Sequence, residues 1–67
     1  MRIVALTPRG EFHSKFTEAT EENYKNLDNF LSKLNQLGYM SFETDNGAIY
    51  MTKEMIHRSV FLIKEDG

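Results

Sequence analysis

Three groups of side chains have the types that proton-transfer chemistry uses. Glu18, Glu21 and Glu22 gather within one short stretch, His13 stands two residues from Glu11, and His57 stands three residues from Glu54. Such pairs work as acid and base when a pocket holds both partners at hydrogen-bond distance. The spacing here favours simpler roles. The glutamates flank the start of a helical pattern, where the helix dipole favours negative charge, and Glu21 precedes Lys25 by four residues, an ordinary surface pairing. Single His–carboxylate neighbours are expected by chance.

No acidic residue is spaced with either histidine as a known metal motif. The chain has no cysteine, which excludes disulfides and thiolate zinc sites. Its glycines, Gly10, Gly38, Gly47 and Gly67, fall at turns, a cap and a terminus, so no phosphate-cradling loop is formed; neither GxSxG nor HExxH occurs. The expectation is a non-enzymatic protein with no cofactor and no metal.

Aromatic residues with basic neighbours form a second candidate. Tyr39, Glu43, Tyr50 and Thr52 fall on one face of a predicted hairpin, and His57 and Arg58 follow it closely. Exposed sheet aromatics stack on single-stranded bases and equally anchor protein interfaces, where Tyr and Arg are enriched. Glu43 repels phosphate, so protein contact is the preferred reading for these six residues. A single-stranded nucleic-acid-binding module using the sheet face is the alternative.

The elements that position these residues are organised around a helix over Thr20–Gly38. Tyr24, Leu27, Phe30, Leu31, Leu34 and Leu37 recur at offsets of three and four, one apolar stripe of an amphipathic helix. Thr20 is the expected N-cap, and Glu21 and Glu22 fill the first turn. Gly38 is expected to end the helix in a left-handed conformation, with Tyr39 folding back onto Leu34.

Ahead of the helix, Ile3 to Leu6 reads as a strand covered on both faces. Pro8-Arg9-Gly10 reads as a three-residue hairpin loop, and Glu11 to Phe16 as the returning strand, although Ser14 breaks its apolar side. After the helix the period changes to two. Asn46-Gly47 predicts a two-residue type I′ turn with Thr44 facing Ile49 and Phe42 facing Met51. One face then carries Met40, Phe42, Thr44, Ile49 and Met51, and the helix is expected to pack there. Lys53 to Arg58 reads as a tight turn that tucks Met55 or Ile56 under the sheet. Ser59 to Lys64 is the last strand, and Glu65 to Gly67 a frayed tail. Met40, Met51 and Met55 are core filler with an adaptable surface as a second use.

The predicted class is therefore α+β, in the order β-β-α-β-β-β, in one small domain spanning residues 1–67. A chain of 67 residues with net charge −2 buries little surface for its length. Its mixed charges, eight basic against ten acidic, argue against strong non-specific nucleic-acid binding. No apolar run is long enough for a membrane span or a signal-peptide core, and the cytoplasm is the expected location. One helix covers one sheet face, while the first and last strands are apolar on both. A homodimer that buries the leftover face is expected, with another protein as partner. In size and composition the chain resembles the small accessory proteins of bacteria and their phages that act by binding.

Overall fold

The computed structural model describes residues 1–65, with the backbone only at Asn35. The α+β class holds, with antiparallel strands and one main helix. The elements are β1 (Arg2–Thr7), β2 (Gly10–His13), α1 (Glu21–Ser32), a 3-10 turn (Leu34–Gln36), β3 (Tyr39–Thr44), β4 (Gly47–Thr52), α2 (Lys53–His57) and β5 (Val60–Lys64). The expected tail residues Asp66 and Gly67 lie outside the described residues.

The strands form two ladders, β2-β1-β5 and β3-β4. They meet at a seam beyond β2. The Ser14 N–H donates to the Ile3 carbonyl at 2.9 Å, and the next N–H, that of Lys15, donates to the Glu43 carbonyl at 2.9 Å. Successive main-chain groups of an extended chain point to opposite sides, so this segment runs between β1 and β3. One main-chain bond thus links the segment after β2 to β3, while the strands pair as two separate ladders. Ser14 also explains the break in its strand's apolar side. Its hydroxyl accepts the Ile3 N–H at 2.8 Å, a donor that the ladder would otherwise leave unpaired.

Both hairpin turns share one construction, Thr-x-x-Gly. Thr7 pairs with Gly10 across Pro8-Arg9, and Thr44 pairs with Gly47 across Asp45-Asn46. The first loop is thus two residues long rather than three. In the second, the central residues are Asp45 and Asn46, not Asn46 and Gly47. Among the described residues positive φ is confined to Gly10 (131°) and Gly47 (149°), so a type I′ turn, which needs it at both central positions, is ruled out. Phe42 faces Ile49 and Met40 faces Met51. The register is shifted by two residues from the expected one. A shift of two leaves every side chain on its own face, so the predicted face assignment stands.

That face forms the core. Met40 and Met51 are buried with Leu34 from the 3-10 turn and Ile56 from α2, and Phe42, Ile49, Phe61 and Leu31 pack around them. On β1, Ile3, Val4 and Ala5 are buried, but Leu6 is 39% exposed. Lys53 to His57 is a short helix, not a tight turn. Thr52 caps it, and Ile56 is the residue tucked under the sheet while Met55 is half-buried.

The main helix differs at its end. Thr20 caps it as expected, its hydroxyl accepting the Asn23 N–H at 3.1 Å. It stops at Ser32, six residues before Gly38, and the tighter 3-10 turn follows. Asn29 and Ser32 are weak helix formers, and the Ser32 hydroxyl donates to the Asn29 carbonyl at 2.9 Å. The tightened turn carries Leu34 into the core. Gly38 has no positive φ, and Tyr39 is 67% exposed rather than folded onto Leu34. No residue of α1 is buried. Tyr24 donates its phenol proton to Glu65 at 3.0 Å, and Leu31 and Phe61 line a common cavity. The helix therefore runs along β5 and covers the margin of the core more than its centre.

Candidate binding cleft and exposed faces

Tyr39, Glu43, Tyr50 and Thr52 do share one face of the β3-β4 hairpin. Tyr39 is directly opposite Thr52, and Tyr50 is opposite Ser41, which sets the two tyrosines diagonally. They are 67% and 75% exposed. Glu43 lies further along, its carboxylate 3.7 Å from the Lys15 ammonium. The two remaining expected residues part company on α2. Arg58 pairs with Glu54 at 3.1 Å and lines a depression that also includes Thr52 and Arg9. His57 is turned the other way, into the cavity bounded by Leu31 and Phe61. The six residues are thus one face with Arg58 at its margin, and His57 apart.

The imidazole that does meet a carboxylate is His13, whose Nε2 lies 2.7 Å from Glu11 Oε1. Both sit on the outer face of β2, their side chains 34% and 52% exposed. Among the described residues no group of three or more His, Cys, Asp or Glu is placed to hold a metal ion. Among the described residues no helix is long and apolar enough to cross a membrane.

A concavity against the sheet core was not signalled by any motif. It is a cleft of about 360 Å³ between the tip of the β1-β2 hairpin and β4. Phe12, Ile49, Met51 and Met55 form its apolar floor, and Thr7, Arg9 and Tyr50 its rim. The adjoining depression shares Arg9, Thr52 and Met55 and adds Arg58. Sequence gives Arg9 a turn role only and Phe12 a strand role only. Their meeting with β4 brings the two ladders together across the fold, which leaves no local pattern.

A second surface feature lies on the outer face of β1 and β5. Leu6 is opposite Val60, and Val4 is opposite Leu62. Val60 is 58% exposed, and Leu6 and Leu62 nearly 40% each, around the fully buried Val4. These side chains form one apolar patch. Tyr39 and Tyr50 do not border it, because β2 intervenes with Glu11, His13 and the following Lys15.

No family model, curated protein or solved structure matches this chain.

Proposed function

We propose that this protein is a non-enzymatic binding module that acts by contact with another protein and pairs with a second copy of itself. The supporting observation is the apolar patch of Leu6, Val60 and Leu62 beside the free edge of β5. The main-chain groups of Ile3 turn toward β2. By alternation those of Arg2, Val4 and Leu6 turn toward β5, where Lys64, Leu62 and Val60 answer them. Phe61 and Ile63 are left with their N–H and C=O groups facing outward. Among the described residues nothing bonds to them.

Such an edge fits its own copy. With Leu62 on a two-fold axis, Phe61 lies opposite the partner's Ile63, so the four outward groups on each side meet in a complete ladder. Leu62 packs against the partner's Leu62, and Val60 lies beside the aliphatic stem of the partner's Lys64. Lys64 avoids its own like charge. The two patches become one stripe, which supplies apolar burial that a short chain lacks. Sedimentation tests this arrangement. The expected result is a species of twice the chain mass with a melting temperature that rises with concentration, converted to monomer by Leu62→Glu, which brings two carboxylates together on the axis. A wild-type monomer whose melting temperature ignores dilution overturns it.

The competing reading, a sheet-face binder of single-stranded nucleic acid, is favoured by the diagonal pair Tyr39 and Tyr50. It is opposed by exposed Glu43 and the net charge of −2. Salt-sensitive binding of an oligonucleotide, lost in Tyr50→Ala, would put it first.

A further inference from the structure

We infer that the cleft beside β4 takes an extended acidic segment of another protein as an added strand. This deepens the protein-contact reading above and rests on it, but uses an edge of the other ladder. The Glu43 carbonyl turns away from β4 to meet Lys15, and the Lys53 N–H donates to the Gly38 carbonyl at 3.1 Å. These two bonds fix the alternation of the ladder. Gly47, Ile49 and Met51 turn their main-chain groups to β3, and Ala48, Tyr50 and Thr52 turn theirs outward. Among the described residues the main-chain groups of Ala48 and Tyr50 and the Thr52 N–H have no partner, while the Thr52 carbonyl, at the N-cap of α2, belongs to the first turn of that helix. The cleft is lined by four consecutive residues of this strand, Ile49 to Thr52. Its wall is therefore the strand's own edge, where another strand would lie, and not merely one of its faces.

The chemistry of the occupant follows from the floor and the rim. A strand added to β4 directs every second side chain toward the floor of Phe12, Ile49, Met51 and Met55. Two flexible methionines suit apolar side chains of varied shape. Arg9 stands at the rim, and the adjoining depression adds Arg58, with Glu54 the one carboxylate among its lining residues. Glu54 is paired with Arg58, while Arg9 forms no ion pair among the described residues. The turn that carries Arg9 is held on both sides. Its N–H donates to the Thr7 hydroxyl at 3.1 Å, and that hydroxyl donates to the Gly10 carbonyl at 2.8 Å. A locally cationic rim on a chain of net charge −2 selects a carboxylate on the incoming strand. The protein's own free strand is a poor occupant, because β5 ends in Lys64, which both arginines repel.

The test uses short capped peptides that alternate leucine or valine with threonine and carry aspartate at each end. One control replaces aspartate by lysine, and another N-methylates alternate amides so that no ladder forms. The expected result is that the acidic peptide shifts the amide resonances of Ala48, Tyr50 and Thr52 and binds about three- to fivefold tighter than the lysine peptide, the range of one exposed ion pair. Arg9→Ala removes that preference, and N-methylation removes binding. Equal binding of the lysine peptide, shifts centred on Phe61 and Ile63, or no binding at millimolar peptide each overturn the proposal. Sedimentation of the same samples separates it from the dimer. Lost peptide binding with the dimer intact removes the cleft alone, and a monomer that binds the acidic peptide removes the dimer alone.

Discussion

Lys15 and Glu43 are joined twice, by a main-chain hydrogen bond of 2.9 Å and by a side-chain ion pair of 3.7 Å. The two links differ in worth. Both side chains are more than half exposed, and exposed ion pairs contribute about 0–1 kcal/mol. The main-chain bond is the one that seats β3 against the β2 segment. Lys15→Ala should therefore change stability by less than about 0.5 kcal/mol. Lys15→Pro, which removes the donor, should cost about 1–2 kcal/mol. Urea unfolding measures both, and slow exchange of the Lys15 amide reads the bond directly. A proline variant as stable as the parent would show that the ladders do not depend on this seam.

The second hairpin turn stands on the backbone of Gly47. Its φ is 149°, and an added Cβ would meet nothing within 4 Å. The cost of a side chain there is therefore conformational rather than steric crowding by neighbours. Gly47→Val should destabilise by about 1–3 kcal/mol, and Gly47→Ala in the same direction. Gly38, equally open and without positive φ, serves as the control. Gly38→Ala should be close to neutral. Thermal melts that rank the Gly38 and Gly47 variants together would remove positive φ as the cause.

What the sequence made legible follows from how far each signal reaches. The Thr20 cap, the start of α1 and the faces of β3 and β4 depend on neighbours in the chain, and they stand as expected. The hairpin register failed by two residues because Asn46-Gly47 fits two turns. It can be the centre of a type I′ turn, or the last two residues of Thr44-Asp45-Asn46-Gly47 with the glycine opening the next strand. Alternation alone does not choose between them, since both keep Met40 and Met51 inward. The end of α1 failed because the apolar stripe continues through Leu34 and Leu37, although Leu34 reaches the core from a 3-10 turn. The seam and the cleft had no signal at all. One depends on a single main-chain bond, and the other on three segments far apart in the chain, the β1-β2 hairpin, β4 and α2.

Ser14 offers a sharper test of the β1-β2 ladder. Its hydroxyl accepts the Ile3 N–H, and Ile3 is 3% exposed. Ser14→Ala leaves that donor without its partner and should cost about 1–3 kcal/mol. Ser14→Thr keeps the oxygen and should recover most of the loss. An alanine variant that unfolds at the parent's urea concentration, with the Ile3 amide exchanging no faster, would mean that water replaces the hydroxyl freely.

The tether between Tyr24 and Glu65 gives the pH dependence. Tyr24 donates to the Glu65 carboxylate near the start of α1, whose later turns are held by half-buried Phe30 and Leu31 against the core. The hydrogen bond raises the Tyr24 pKa above its ordinary 10.0, with desolvation and the carboxylate's charge adding to the shift. The neutral phenol is the form the fold favours. Its contribution is therefore fully present below 10.0 and is lost as pH rises through the raised value. Past that point two negative charges face each other, and the N-terminal half of α1 should loosen from β5. Absorbance titration of the tyrosinate band should show a late-ionising component that disappears in Tyr24→Phe and moves down in pH in Glu65→Gln. Far-ultraviolet circular dichroism should lose helix signal over the same interval in the parent, but not in Tyr24→Phe. If Tyr24→Phe leaves the upper end of the titration curve unchanged, the phenol is not bonded to Glu65 in solution, and α1 is held to β5 by Leu31 and its apolar neighbours alone.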